Sequence, residues 1–242
     1  MALLAERYSP CAPLPRTVRA LMAPPSSCPQ CHHPLTWFEL CPVISFIVLR
    51  GTCRYCRQAL PVSMLWSEVL TGFYWLSVCL IFASPLQRAA ALFNYSLLCL
   101  LAMTDRRIML LPDTLVFTLL WSGLLFSPAF LYPDGYSRLL GVCSGYLFLS
   151  GINVCFRYWR HREGMGRGDM KLLAAIGAWS GWQSLAPVIV IATTYALCEL
   201  ICRRALFRSF RESLPLPFGY FLAVAGAFWF LMQYLPIRLP VL

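Results

Sequence analysis

Apolar stretches of nearly membrane-spanning length recur along this chain from Met64 onward, and they constrain its fold more than any other feature. Hydrophobic residues make up 59% of the 242-residue sequence and charged residues only 12%. A soluble domain of this length does not need so much apolar surface, whereas a helix that crosses a bilayer needs about 20 apolar residues. The sequence therefore predicts an all-α, polytopic transmembrane helical bundle with about seven spans. We place the spans at Met64–Ala83, Ala89–Thr104, Thr114–Leu131, Leu139–Phe156, Met170–Gly181, Leu185–Ile201 and Leu216–Leu235.

The net charge of +10 is concentrated in every second connection between these stretches. The basic connections contain Arg50, Arg54 and Arg57, then Arg106 and Arg107, then Arg157, Arg160, Arg162, Arg167 and Lys171, and finally Arg203, Arg204, Arg208 and Arg211. The intervening connections contain only Arg88, Asp134 and Arg138 as charged residues. Basic loops stay in the cytoplasm, so this alternation predicts a cytoplasmic amino terminus and contact with membrane lipid. It also argues against nucleic acid as the partner of the basic residues.

Three parts of the chain differ in composition. Residues 1–27 are predicted to form an irregular, Pro-rich arm without a signal peptide, because prolines break up the segment and no uninterrupted apolar core is present there. Residues 28–61 are predicted to form a small cytoplasmic module that contains two cysteine pairs. Residues 62–242 are predicted to form the membrane bundle.

The cytoplasmic module contains two Cys-x-x-Cys motifs, Cys28 with Cys31 and Cys53 with Cys56. Two such pairs at this separation are typical of one tetrahedral Zn²⁺ site, and about 35 residues make too small a core to fold well without a staple. The alternative is two unrelated pairs or redox-active dithiols. The adjacent histidines and a further cysteine are predicted to lie outside the ligand set, as surface residues and a packed thiol: His32, His33 and Cys41.

Two of the four aspartates, Asp105 and Asp169, lie at the ends of apolar stretches, and the charge pattern places both at the cytoplasmic face. An ionised carboxylate at a membrane edge is costly unless it has a partner or a function. Two adjacent carboxylates can share one proton and serve as base and acid on a water molecule. Taken alone, Asp105 is equally consistent with a solvated helix cap. Asp113 follows a proline and precedes an apolar run, which favours a cap of the third span.

The sequence Gly166-Arg-Gly-Asp169-Met-Lys-Leu-Leu-Ala-Ala resembles the Gly-x-Gly-Asp signature of membrane aspartyl proteases, and in its fuller form that of bacterial type IV prepilin peptidases. Three other stretches are similar to segments of the same family: Trp37–Cys53, Asp105–Leu115 and Leu216–Ala223. The resemblance covers roughly residues 27–230, and four blocks in the same order are much more specific than one.

The resemblance implies a multi-pass enzyme of the bacterial inner membrane with Asp105 and Asp169 as its catalytic pair. An Asp113–Asp169 pair is the alternative. Such an enzyme cleaves the leader peptide of type IV prepilins or type II secretion pseudopilins on the cytoplasmic side. Because the four cysteines accompany bifunctional members, the resemblance also implies methylation of the new amino terminus with S-adenosylmethionine. The competing hypotheses are a non-catalytic scaffold of a secretion or pilus machine and a transporter.

Three further expectations concern other acids and the amino terminus. Glu68 is either a functional acid, as the family tends to have there, or a first-turn helix residue favoured by the helix dipole. Glu199 is expected to pair with Arg203 one helical turn away. Family members usually begin with an additional apolar helix, which Met1–Ser27 does not supply, so this chain is expected to lack that helix or to begin upstream. A homodimer is left open.

Overall fold

The computed structural model describes residues 28, 31, 33, 34, 36, 45, 46, 48–59, 62–130, 134–160, 166–206 and 216–235. The predicted arm 1–27, the predicted surface residue His32 and the predicted packed thiol Cys41 lie outside the described residues. Two compact units are present, one formed within residues 2–80 and the other from Ile81 onward. The first contains the cysteine motifs, and the second contains Asp105 and Asp169.

Seven long α-helices make up most of the described chain, and no β-strand occurs among the residues described. The prediction of an all-α fold is therefore confirmed. The helices are α1 (Val62–Ile81), α2 (Pro85–Ile108), α3 (Asp113–Phe130), α4 (Gly135–Arg160), α5 (Arg167–Ser180), α6 (Leu185–Leu206) and α7 (Phe218–Met232), with a 3-10 turn at Trp182–Ser184.

Three helical segments are long and apolar enough to cross a membrane by length and composition: Pro85–Ile108, Gly135–Arg160 and Trp182–Ala205. Three others are apolar but shorter: Leu65–Ile81, Asp113–Phe126 and Phe218–Met232. Helix α5 has 14 residues, so it is about 21 Å long against an apolar bilayer thickness of about 30 Å. The prediction of a helical membrane protein is thus confirmed, whereas the count of seven spans stays a prediction.

Helix α5 lies at the centre of the larger unit. It packs against α3, α4 and α7, and almost every residue from Asp169 to Ser180 is buried. The Trp179 indole N–H donates a 2.8 Å hydrogen bond to the carbonyl oxygen of Leu119, so the far end of α5 is attached to α3. Burial on several sides is what allows so short a helix to hold Asp169 in a fixed place.

Two glycines let α4 and α5 approach each other closely. A Cβ atom added to Gly141 would lie 2.6 Å from the carbonyl oxygen of Gly177, and one added to Gly177 would lie 2.5 Å from that of Gly141. Backbone cannot retreat from such contacts as the end of a flexible side chain can. The contact between α4 and α5 therefore requires glycine at both positions.

We expect Gly177→Ala to lower the thermal stability of the purified protein, because overpacking of a tight contact costs about 1–3 kcal/mol. Gly151→Ala on α4 is the matched control, since a Cβ atom there meets nothing within 4 Å. That control is expected to be neutral or to stabilise by up to about 1 kcal/mol. Thermal unfolding in detergent measures both variants. Equal melting temperatures would contradict the close packing.

One charged residue lies elsewhere than the sequence pattern predicts. Arg138 was expected in a connection before a span that begins at Leu139, but α4 begins at Gly135. Arg138 is fully buried, and its Nη1 group donates to the carbonyl oxygen of Gly123 at 3.4 Å. A buried cation must find such acceptors, and the local sequence does not show that α3 supplies one.

Candidate active site and metal centre

Asp105 lies in the last turn of α2, and its side chain is buried. The helix ends just beyond it because Met109 adopts a left-handed conformation (φ 51°) and donates its N–H to the carbonyl oxygen of Asp105 at 2.9 Å. Arg106 and Arg107 occupy the same last turn, where cations are favoured by the helix dipole. The basic residues thus stabilise the helix end while Asp105 faces inward.

Asp169 lies in the first turn of α5, which begins after the N-cap residue Gly166. The Asp169 side chain is buried, with 9% of the residue exposed. A Cβ atom added to Gly168 would lie 3.0 Å from the Leu111 side chain, so glycine at this position allows the start of α5 to approach the segment after α2.

The two carboxylates converge on the start of α7. Tyr220 donates its backbone N–H to Asp105 Oδ2 at 2.7 Å. A Cβ atom added to Gly219 would lie 3.0 Å from Asp105 Oδ2 and 2.9 Å from Asp169 Oδ1. One point in space is therefore within about 3 Å of both carboxylates. Sequence reasoning missed these two roles: it singled out the stretch Leu216–Ala223 but assigned none of its residues to the site.

The environment of Asp169 favours a bound proton. Asp169 precedes the predicted span Met170–Gly181, and burial, together with the negative charge of Asp105, raises the pKa of Asp169 to about 7. Asp105 is buried as well, which opposes its ionisation, but the backbone N–H of Tyr220 donates a hydrogen bond that favours its ionised form. This hydrogen bond distinguishes the two neighbouring carboxyl groups, and acid and base roles require such a difference.

Asp113, the alternative partner of Asp169, is the first residue of α3 and is exposed. Its Oδ1 atom lies 2.7 Å from Lys171 Nζ, and this ion pair links the starts of α3 and α5. Lys171 Nζ also lies 5.5 Å from the ring centroid of Phe117. The contacts of Asp113 are thus those of a helix-terminal residue that orients α5.

The two other acids that the sequence singled out have different surroundings. Glu199 on α6 pairs with Arg203 one turn later, as expected. It also lies 3.8 Å from Arg106, which follows Asp105 in the chain. Glu68 is exposed on α1, and its role stays a prediction.

The four cysteines of the two motifs come together in the smaller unit. The Sγ atoms of Cys28, Cys31, Cys53 and Cys56 all lie within 4.8 Å of one another, and the Cys28 and Cys56 sulfurs are 3.9 Å apart. Tetrahedral Zn²⁺ with Zn–S bonds of about 2.3 Å separates its sulfur ligands by about 3.8 Å. The predicted cluster of four thiols that can bind one metal ion is therefore confirmed.

The two cysteine turns share one backbone geometry. The N–H of Cys28 donates to the carbonyl oxygen of His33 at 3.0 Å, and the N–H of Cys53 donates to that of Gln58 at 2.9 Å. Each pair thus lies in a tight turn closed by a residue five positions on. Backbone N–H groups of Cys56 and Tyr55 lower the pKa of Cys53, whereas burial and the neighbouring thiols raise the pKa of Cys56 to about 11.

His33 has contacts of its own beside this cluster. Its ring stacks on that of Tyr55 with centroids 3.5 Å apart, and its Nδ1 atom is 2.8 Å from the carbonyl oxygen of Pro34. His33 of the first cysteine turn thus packs on Tyr55 of the second. That His33 is not a ligand stays a prediction.

The fold and the site together define a class of protein: a helical membrane protein with two buried carboxylates at neighbouring helix ends and a four-thiol cluster. Comparison with known proteins identifies the family within this class. Residues 7–82 match the family model of the Bacterial Peptidase A24 N-terminal domain, and residues 92–201 match that of the Type IV leader peptidase family.

Several relatives are similar over most of the chain, and each is named "Prepilin leader peptidase/N-methyltransferase". The protein of Aeromonas hydrophila is 38% identical over 85% of this chain and 71% of its own length. That of Burkholderia pseudomallei is 40% identical over 86% of this chain and 67% of its own length. That of Pectobacterium carotovorum is 36% identical over 90% of this chain and 78% of its own length. No solved structure gives a significant match.

The chain belongs to the type IV leader peptidase family. The family resemblance that four sequence blocks predicted is therefore confirmed, and with it the predicted class of enzyme.

Proposed function

We propose that this protein is a membrane aspartic endopeptidase that removes the leader peptide of type IV prepilins or type II secretion pseudopilins, with Asp105 and Asp169 as its catalytic pair. The observation that carries this proposal is the convergence of both buried carboxylates on Gly219. Family membership supplies the reaction class, and the names of the relatives supply the substrate class.

In the proposed mechanism the pair holds one water molecule between the two carboxyl groups. One carboxylate removes a proton from this water as its oxygen attacks the carbonyl carbon of the scissile peptide bond. The other carboxyl group then gives its proton to the leaving nitrogen, and the C–N bond breaks. Attack by water forms no acyl-enzyme. By the end of the cycle one carboxyl group of the pair has gained a proton and the other has lost one.

The proposed topology places this chemistry at the cytoplasmic edge of the inner membrane. Asp105 lies at the end of α2 and Asp169 at the start of α5, next to the basic connections that the positive-inside rule assigns to the cytoplasm. We propose seven spans with a cytoplasmic amino terminus. The hydrophobic segment of the substrate then lies in the bilayer beside the bundle, and its leader lies in the cytosol.

We further propose that Cys28, Cys31, Cys53 and Cys56 hold one structural Zn²⁺. The separation of the thiols and the matching backbone turns support this ion. Its contribution would be to fix a module whose own apolar core is too small to fold well. Cleavage would depend on the ion only through the fold of that module.

Methylation of the new amino terminus is the second proposed activity, with S-adenosylmethionine as methyl donor. Relatives that are similar over 85–90% of this chain are named as N-methyltransferases as well as peptidases. The reaction transfers one methyl group from the donor sulfonium to the amine that cleavage exposes, and a proton leaves the amine.

Incubation of the purified protein with a prepilin, with and without S-adenosylmethionine, tests these proposals. Mass spectrometry of the products should show loss of the leader in both reactions and addition of one methyl group only with the donor. A scaffold or a transporter would leave the prepilin intact. An intact prepilin after incubation with folded protein would therefore overturn the proposed function.

We expect Gly219→Ala to reduce leader cleavage by about 100-fold, which is the usual effect of displacing catalytic groups by about 1 Å. The added Cβ atom would lie within 3.0 Å of a carboxylate oxygen of both Asp105 and Asp169, so one or both must move. The rate of prepilin cleavage per folded molecule is the measurement.

Gly226→Ala on the same helix is the matched control for this variant. Its Cβ atom would meet the flexible end of the Ile176 side chain at 2.8 Å, away from the carboxylates. We expect a lower melting temperature with nearly parental cleavage. If Gly219→Ala cleaves as well as Gly226→Ala, the convergence of the pair on Gly219 is wrong.

A further inference from the structure

Arg106 contacts Tyr220, the residue whose backbone N–H donates a hydrogen bond to Asp105. Its guanidinium carbon lies 4.6 Å from the ring centroid of Tyr220. The backbone N–H of the same tyrosine donates to Asp105 Oδ2 at 2.7 Å. Two consecutive residues of α2 therefore contact Tyr220 of α7. Asp105 accepts a hydrogen bond from the Tyr220 backbone amide, and Arg106 packs on the Tyr220 ring.

A third helix joins this contact. Glu199 of α6 lies 3.8 Å from Arg106 Nη2 and also pairs with Arg203. The Glu199 side chain is mostly buried, with 17% exposed, whereas that of Arg106 is 46% exposed. Glu199 can therefore hold the guanidinium over the tyrosine ring. The ring is enclosed further by Tyr195 of α6, whose centroid is 6.3 Å away.

This arrangement has a consequence for the geometry of the pair. The N–H of Tyr220 points at Asp105 only while the first turn of α7 keeps its position relative to the end of α2. A restraint on the Tyr220 side chain also restrains the backbone amide of the same residue. The contact between Arg106 and the ring supplies that restraint at the point where it is needed.

We propose that Arg106, oriented by Glu199, is a positioning residue for Asp105 that acts through Tyr220. This inference rests on the proposed peptidase function and adds a residue that neither the Gly-x-Gly-Asp motif nor the cysteine module contains. Arg106 acts on the carboxylate pair and not on the substrate. Its removal therefore lowers kcat and leaves KM nearly unchanged.

A double-mutant cycle between Arg106 and Tyr220 tests the inference. R106M and Y220L are each expected to lower kcat about tenfold, given the strength of a partly buried cation–π contact. The double variant R106M/Y220L is expected to be no slower than either single variant, because both remove the same restraint. E199Q, which weakens a loose ion pair, is expected to lower kcat about threefold.

Conservative variants and a charge control separate positioning from general effects. R106K and Y220F, which keep a cation and an aromatic face, should recover most of the loss. R107M removes the same charge from the neighbouring position and should behave like the parent. Melting temperatures and methylation of a pilin already freed of its leader show whether each variant is folded.

Each outcome of this experiment supports or overturns the inference. A kcat for R106M equal to that of R107M, or losses that multiply in the double variant, would overturn the positioning role. A change confined to KM would assign Arg106 to substrate binding instead. D105N is measured in parallel: if D105N still cleaves, the proposed Asp105–Asp169 pair fails, whereas an inactive D105N with a fully active R106M refutes only the positioning.

Discussion

Replacement of either Asp105 or Asp169 with asparagine is expected to reduce prepilin cleavage by at least about 1,000-fold, the upper range for loss of a general acid or base. An amide has nearly the same size and still accepts hydrogen bonds, but it cannot take or give the proton that the reaction needs. The rate of leader removal by purified variants measures the effect. Membrane insertion and melting temperature should stay close to those of the parent protein.

The double variant D105N/D169N gives a second test of the pair. If the two carboxylates act as one unit, the double variant should be no slower than either single variant, because each single change already removes the shared proton transfer. Losses that multiply would show that the two groups act independently. A single variant that still cleaves at a parental rate would remove that aspartate from the mechanism.

Replacement of Cys28 and Cys31 with serine is expected to abolish zinc binding, which is the second large effect. The two remaining thiols cannot complete a tetrahedral site, and zinc in comparable small modules contributes about 10–16 kcal/mol of binding free energy that is also folding free energy. Metal analysis of the purified variant should show no stoichiometric zinc, while the parent protein retains about one ion per chain. Hydrogen exchange should be rapid throughout the described residues of the module.

Serine at Cys143 and Cys155 is the matched control for the loss of two thiols. Both cysteines are exposed on α4, outside the cluster of four thiols. This control should retain zinc and slow hydrogen exchange in the module. Stoichiometric zinc in the C28S/C31S variant would show that the ion lies elsewhere or that other residues replace the two ligands.

Periodic or closely spaced features were predictable from the sequence. Each predicted apolar stretch overlaps one helix: Met64–Ala83 corresponds to Val62–Ile81, for example, and Met170–Gly181 to Arg167–Ser180. Helix ends differed by a few residues, because capping depends on backbone conformations such as the left-handed Met109 that propensity does not encode. The four-thiol cluster was predictable because two short spacings leave few arrangements of the ligands.

Contacts between distant parts of the chain were not predictable in this way. The amide of Tyr220 donates to an aspartate 115 positions earlier, and a backbone N–H has no signature in the sequence. The role of Gly219 follows from the same contact, since the sequence shows only that glycine leaves space and not what fills it. The burial of Arg138 was not predictable either, because the carbonyl oxygen that accepts its hydrogen bond lies on another helix. Resemblance to a family located these segments without giving their geometry.

The arrangement also explains why so short a helix can serve the site. Asp169 needs a fixed position beside Asp105, and α5 obtains it from close packing with α4 at Gly177 and from the indole of Trp179 at its far end. Lys171 and Asp113 fix its near end from α3. The position of the Asp169 carboxylate thus depends on packing around the whole of α5 and not on the length of that helix.

The cleavage rates of D105N and D113N, measured side by side on one prepilin, test the central claim most directly. The proposed Asp105–Asp169 pair predicts no detectable cleavage by D105N. It predicts a loss of less than about tenfold for D113N, because the exposed ion pair of Asp113 with Lys171 is worth at most about 1 kcal/mol. Cleavage by D105N together with an inactive D113N would contradict the account and assign the catalytic role to Asp113.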